Sequence, residues 1–299
     1  FASGTAVGLY ALWRRRRRRR LRVKVAVLCA VREEARHIEE RLERVQTMPF
    51  SVGTRRYRRV RGVVGRVVVD VVTCGIGSVD ATATATALLS AASFSLVVNC
   101  GCSGGHREEV RAGDCVVGAS VVPSAYKMVR ADGSSEHVGL RLDTSSDPLR
   151  ELAVDAGLLR VAEATAGDVD LPPWPTTPHR RPVVHTGKIA SSDIWTQHRD
   201  DIRRQSATLG TLCEEMESFA VARVCDHFGL PWLTVKDVVN NELLDDDDDD
   251  HSPTPETGLG ESLVLDELGR RAAIVVIAIL RALDANNVEA RDELLYPNS

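Results

Sequence analysis

Glu217 is a carboxylate in an apolar setting. Read at helical spacing, Cys213, Glu217, Ala220, Val221, Val224 and Phe228 share one face, while Glu215, Ser218, Ala222, Arg223, Asp226 and His227 share the other. An unpaired buried carboxylate is costly, so Glu217 needs a hydrogen-bonding partner, and a sugar diol with its two hydroxyl donors is one. Glu34 ends the trio Arg32-Glu33-Glu34 between an apolar run and a helix-like segment. It has the chemistry of a general base, although carboxylates at a helix start are also favoured by the macrodipole alone. Trp195, in Ser191-Ser192-Asp193-Ile194-Trp195-Thr196, offers a flat face on which a heterocycle can stack. Such stacking contributes about 1–3 kcal/mol. The plain alternatives are a core tryptophan, and Ser192 or Asp193 as the N-cap of a helix over Gln197–Gln205. A β-rich run, Trp232 to Val239, ends in Asn240-Asn241-Glu242. Asn240 can donate and accept hydrogen bonds but cannot act as a general acid. Asp237 could supply a carboxylate, but strand alternation points it away from Asn240.

These residues need elements to carry them. Val23 to Ala30 reads as a buried parallel strand, followed by helical spacing at Val31, Ala35, Ile38, Leu42 and Val45. Val67 to Thr73 is a second strand and leads into Cys74-Gly75-Ile76-Gly77 before an alanine- and threonine-rich helix to Ala92. The glycines let backbone approach a ligand, but the third glycine of a dinucleotide fingerprint is missing. Leu96 to Cys100 is a third strand, ending in Gly101-Cys102-Ser103-Gly104-Gly105, where three glycines in five residues favour close ligand approach. Further strands read at 115–122 and at Val183 to Ala190, a short helix at Asp147 to Ala156, and a closing helix at Glu261 to Leu283. Gly229 and Pro231 end the helix that carries Glu217.

With 299 residues, 43% of them hydrophobic, the chain can bury a core as one large domain. A net charge of -4, with the basic excess confined to Arg14–Arg20, argues against nucleic acid as the main partner. Seven cysteines, an odd number lying mostly in apolar runs, read as reduced thiols in a reducing compartment. Cys100-Gly101-Cys102 lacks a second ligand pair, so no metal is expected. Residues 1–22 read as an Arg-rich extension: a solvated tail, with a targeting leader as the alternative. Their apolar part is too short to span a bilayer, as is the apolar stretch of the closing helix. The six aspartates Asp245–Asp250 read as part of an acidic loop over 245–256, and 286–299 as a polar tail.

The order of these motifs, from about Val23 to about Leu283, resembles the nucleoside phosphorylase superfamily, especially its 5'-methylthioadenosine/S-adenosylhomocysteine nucleosidase branch. That resemblance implies an α/β fold in which a single domain, residues 23–285, holds a central twisted mixed β-sheet flanked by helices. It implies that Glu34 orients and deprotonates the attacking water and that Cys74, Gly75 and Gly104 line the nucleoside pocket. It also implies that Trp195 and Thr196 flank the purine, Met216 packs on the sugar, and Glu215, Glu217 and Lys236 complete the ribose site. The branch's Ser-Gly-Ile-Gly begins here with Cys74. Its closing Arg-x-x-Ser-Asp reads Lys236-Asp237-Val238-Val239-Asn240, so an amide stands where the branch protonates the base. The expected activity is cofactor-independent hydrolysis of the N-glycosidic bond of 5'-methylthioadenosine/S-adenosylhomocysteine-type purine nucleosides, to free base and ribose derivative, by a cytoplasmic homodimer. A phosphate-dependent phosphorylase, for which Arg32 is the only nearby anion candidate, and a non-catalytic storage or sensor relative are the alternatives.

Overall fold

The computed structural model describes residues 23–141, 147–244 and 265–285. The expected basic extension, acidic run and polar tail lie outside these residues. Fourteen strands form in chain order: β1 (Lys24–Cys29), β2 (Glu43–Met48), β3 (Ser51–Val52), β4 (Arg55–Arg56), β5 (Arg59–Val64), β6 (Val67–Thr73), β7 (Leu96–Gly105), β8 (Cys115–Pro123), β9 (Lys127–Val129), β10 (Ser135–His137), β11 (Leu152–Ala153), β12 (Val184–Ser191), β13 (Thr211–Glu215) and β14 (Trp232–Asn240). The helices are α1 (Arg32–Glu39), α2 (Ser78–Ala91), α3 (Ala156–Ala166), α4 (Arg199–Leu209), α5 (Ser218–Phe228) and α6 (Arg270–Ala285).

Ten strands build one mixed sheet. β1 and β6 are parallel, as suits their largely apolar sequences, and β7 lies on the other flank of β1. β7 is the longest strand because it serves two groups of neighbours. Its pairing with β1 stops at Leu28 opposite Asn99, and antiparallel β13 joins the same flank at Gly104 and Gly105. Its other flank is covered by parallel β14. β13 then pairs β12, β12 pairs β8, and β8 pairs β14, so β7, β13, β12, β8 and β14 close into a ring of five strands. The site lies where β7 changes partners, because Cys100 to Ser103 have no strand on that flank.

Two helical layers cover the sheet. α1 and α3 each pack on α6, which lies over β7 and β14, and α2 packs on α5. Alternation along β14 separates the layers: Asp237 accepts the Gly269 and Arg271 amides at the start of α6, while Lys236 points towards the start of α5. The core is dominated by the valines of β1, β6 and β7 and by Ala272, Val275, Ile279 and Leu283 of α6.

Several boundaries differ from the sequence reading. The first helix ends at Glu39, and Val45, assigned to its apolar face, is 51% exposed in β2, where the register with β5 shifts between Glu43 and Gln46. Within that irregularity Arg44 takes a positive φ of 54°, with no glycine or proline to announce it. The helix expected at Asp147 to Ala156 begins at Ala156, capped by Asp155, whose side chain accepts the Gly157 and Leu158 amides. The closing helix α6 starts at Arg270, after a turn at 268–269 that parts it from helical residues 265–267, and the expected start at Glu261 lies outside the described residues.

Candidate active site

Glu34 fills the gap in the pairing of β7. One carboxylate oxygen accepts the Ala30 and Val31 amides at 2.8 and 3.2 Å, and the other accepts the Cys102 amide at 2.9 Å. The first two bonds use orphan donors at the start of α1; the third satisfies an amide that no strand reaches. The carboxylate is therefore held by backbone from the turn between β1 and α1 and from β7, and is almost fully buried. Gly101 makes this approach possible, since a Cβ there would lie 2.4 Å from Glu34 Oε1.

The setting of Glu217 corrects the helical reading. Thr211–Glu215 is a strand, and Glu217 is the N-cap residue of α5 instead of a member of its apolar face. Pairing with β12 and β7 outweighs the helical spacing of Cys213 and Glu217. Glu215 ends β13 and turns back, accepting the Glu217 and Ser218 amides, so a carboxylate sits on the positive end of α5. Glu217 reaches the other way and accepts the Gly77 amide at 2.7 Å. Gly77 has a φ of 91°, which a side chain would strain.

Lys236, wholly buried, joins the two acids: its ammonium lies 2.7 Å from Glu215 and 3.5 Å from Glu217. Burial opposes the charge on Glu215, but the closer ammonium and the capped amides outweigh it and hold the carboxyl below its ordinary range. For Glu217 burial prevails over the more distant Lys236, and with Glu215 adding repulsion its pKa is pushed up to about 7. Burial alone would lower Lys236; the carboxylates of Glu215, Glu217 and Glu34 outweigh it and keep the amine well above its ordinary value. Glu34 is thus close enough to act on both Glu217 and Lys236.

The other expected residues separate into two groups. Gly75 and Met216 border this acid cluster and are partly exposed. Asn240 lies over Gly104, its oxygen 3.3 Å from where a Cβ would stand, and its amide donates to Glu242 at 2.9 Å. Trp195 is 61% exposed, which excludes the core-tryptophan alternative. Its loop is tied at both ends: Asp193 accepts the Ser78 amide and hydroxyl, while Thr196 donates its amide and hydroxyl to Glu214 at 2.6 and 2.9 Å. Asp193 is therefore not the cap of α4, whose N-cap residue is His198.

Cys74, by contrast, is wholly buried. Its thiol donates towards the Cys29 and Gly75 carbonyls, and burial, with Glu217 and Glu34 adding, raises its pKa. It stands behind the site instead of presenting a group to a ligand. Glu215 and Lys236 are enclosed as Glu217 is, and the ammonium of Lys236 ties the two acids together. Arg32 is exposed, and Asp237 faces α6, away from Asn240. Two groups escaped the sequence reading, Glu214 and His106. Glu214 was hidden because its neighbours Glu215 and Glu217 accounted for the acidity of the segment. His106 followed a glycine loop whose strand character was not apparent.

Comparison with known proteins fits this arrangement. The sequence profile of the phosphorylase superfamily matches residues 24–281. The chain belongs to this family. Among its curated relatives, a 5'-methylthioadenosine/S-adenosylhomocysteine nucleosidase of Shewanella halifaxensis is 24% identical over 265 residues, covering 87% of this chain and 100% of the relative. One of the same name from Geobacillus sp. is 26% identical over 269 residues, covering 87% of this chain and 99% of the relative. The superfamily fold is also that of the S. pneumoniae nucleosidase solved with a transition-state inhibitor, with a TM-score of 0.67 and 22% identity over 88% of this chain and 100% of that one. Futalosine hydrolase of Helicobacter pylori superposes with a TM-score of 0.66 and 20% identity over 87% of this chain and 98% of that one. In this superfamily member Glu34 meets β7 at the Cys102 amide, Glu217 meets the loop after β6 at the Gly77 amide, and Asn240 lies over Gly104 of β7.

Proposed function

We propose that the protein is an N-ribosyl hydrolase acting on 5'-methylthioadenosine or S-adenosylhomocysteine-type purine nucleosides. The observation that carries this reading is the presence of two buried carboxylates from distant segments, Glu34 and Glu217, each fixed by backbone amides, with Glu34 among the charges that raise Glu217. Glu217 accepts the ribose hydroxyls, and Lys236 with Glu215 keeps it in place. Glu34 orients water against the anomeric carbon and takes its proton. The bond to the base breaks as positive charge grows on the sugar, which the surrounding carboxylates stabilise. Trp195 supports the base, and Asn240 hydrogen-bonds it as it leaves with the bond's electron pair. Because an amide cannot supply a proton, the departing base takes its proton from water or from another group.

The names of the relatives support hydrolysis, and the exposed side chain of Arg32 supplies no enclosed anion site for a phosphate nucleophile. The phosphorylase reading keeps one argument, the description of the superfamily itself. A non-catalytic reading is favoured by Cys74 and Asn240, neither of which presents an acid. One assay separates the three. Purified protein receives methylthioadenosine, S-adenosylhomocysteine, adenosine and inosine, with and without phosphate, and free base is quantified. Phosphate-independent release from the 5'-thio nucleosides is the expected result. Release only with phosphate favours the phosphorylase, and binding without release the sensor. Glu34→Gln should lose turnover by 10²-fold or more, on the order of a missing general base, and still bind adenine.

The same reading assigns one catalytic domain to 23–285 and a homodimer to the assembly. Ile76, Val79 and Phe228 are exposed beside a groove of about 510 Å³ between α2 and α5, lined in part by Tyr126, Leu140 and Phe219. Sedimentation at micromolar concentration tests the dimer. All seven cysteines are free, and no helix among the described residues is long and apolar enough to cross a membrane; a cytoplasmic setting suits the former.

A further inference from the structure

Glu214 lies on β13 just before the Glu215-Met216-Glu217 turn and is nearly as buried as its neighbours. A valine would suit that strand position, so a carboxylate there calls for partners. It has four. Its oxygens accept the Thr196 amide at 2.6 Å and the Thr196 hydroxyl at 2.9 Å, with Gln205 at 3.5 Å. His106 Nε2 stands 3.2 Å from Oε2, within ion-pair distance though outside hydrogen-bond alignment. The other ring nitrogen of His106 is fixed against the Thr211 hydroxyl at 2.9 Å. These contacts join the start of β13, the end of β7, α4 and the Trp195 loop around one buried carboxylate.

Register gives the cluster its importance. Glu214 pairs with Gly104, and the opposite neighbour of Gly104 is Asn240, so the anchor of Thr196 and the amide over Gly104 flank the same glycine. Trp195 has little packing of its own, being 61% exposed, and its position is set by the anchors on either side. One is Asp193 on Ser78, next to the Gly77 amide that holds Glu217; the other is Thr196 on Glu214. The geometry points to Glu214, backed by His106, as a positioning residue that clasps the Trp195 loop against the base-binding side of the cleft. This assignment rests on the nucleoside reading above for its ligand, but the clasp itself does not.

The ring of Trp195 then meets a base without first having to be ordered, which raises affinity by removing the entropic cost of fixing the loop. Loss of the clasp should weaken binding of the base more than it slows the chemical step, because Glu34 and Glu217 are held by separate amides. A purely structural Glu214 would instead lower stability and leave the properties of Trp195 unchanged in the folded fraction.

The test compares wild type with Glu214→Val, Glu214→Gln and Thr196→Val. Acrylamide quenching of the Trp195 emission, taken as the difference from Trp195→Phe, reports the loop. Binding of adenine and the KM and kcat for methylthioadenosine report its use. In Glu214→Val, Trp195 quenching should rise, and the adenine Kd and the KM should rise about tenfold, the effect of one or two net hydrogen bonds, with kcat changed less. Glu214→Gln should recover most of this, because its carbonyl oxygen still accepts the Thr196 amide. Unchanged quenching and unchanged adenine affinity in a folded Glu214→Val overturn the assignment. Should that variant fail to fold, Thr196→Val, which removes only the hydroxyl bond, decides: a rise in quenching with a smaller rise in Kd supports the clasp, and wild-type values overturn it. A wild-type protein that neither binds adenine nor releases it defeats the nucleoside reading alone, since the quenching comparison still decides the clasp.

Discussion

At the scale of single residues, the site depends on glycines as much as on acids. Gly101 is a position where one methyl group would disturb the site directly: its Cβ would stand 2.4 Å from the carboxylate that Ala30, Val31 and Cys102 hold. Gly101→Ala should displace Glu34 and reduce turnover by roughly 10²-fold, at a stability cost of about 1–3 kcal/mol from overpacking. A melting curve and a rate on the same sample check both, and full activity would remove Glu34 from the mechanism. Glu217 provides a pH test. With its pKa near 7 it is mostly protonated at pH 6, where it accepts hydrogen bonds from hydroxyls less well, and mostly ionised at pH 8. The KM for a nucleoside should therefore fall as pH rises through about 7, and Glu217→Gln should remove that step. The sequence exposed Glu34, Glu217, Gly104 and Asn240 because each broke a local pattern. It did not expose Glu214, because its partners face it across segments far apart in the chain.

At the scale of elements, the junction of β13 and α5 marks the limit of pattern reading. Cys213, Glu217, Ala220, Val221 and Val224 fit a helical period, yet the first of these is a strand residue. A five-residue strand that ends in a tight turn leaves too few alternations to oppose a helix that follows immediately. The longer, mostly apolar β1, β6 and β14 were legible for the opposite reason. The junction of β14 and α6 makes two predictions. Asp237 is wholly buried, and burial, partly offset by Arg271, pushes its pKa up to about 7. A carboxyl whose folded pKa is raised binds its proton more tightly when folded, so it favours the fold below about pH 4 and loses that contribution as pH rises to about 7. Asp237→Asn keeps one acceptor for the Gly269 and Arg271 amides without the charge. Its melting temperature relative to wild type should improve steadily from pH 5 to pH 8; a constant difference would contradict the shift. Arg271, also fully buried, ties α6 to the Pro172 and Pro173 carbonyls and to Glu267, and lies over Trp174. Arg271→Ala leaves Glu267 buried without this partner and should cost about 3–5 kcal/mol in chemical denaturation.

At the scale of the whole molecule, the sheet has a closed end and an open one. The ring strands have neighbours on both flanks, whereas β2 pairs only with β5, and most of its residues are exposed. Hydrogen exchange should follow this division, with the β2 amides exchanging well before those of β7 and β14, because an edge opens without disturbing the core. Equal protection at both ends would mean that the sheet opens only as one unit. The composition disclosed a large apolar core but not the ring, since closure depends on β8 meeting both β12 and β14, and no periodicity records a choice of partners.

The unpaired stretch of β7 has one more consequence. Because the Cys102 amide is satisfied by Glu34 and by no strand, the acid that would activate water is also part of the scaffold. A descendant of this chain that no longer needed the reaction would still be under pressure to keep an oxygen acceptor there. Retention of an acid at this position in a relative is thus weak testimony that the relative is still an enzyme.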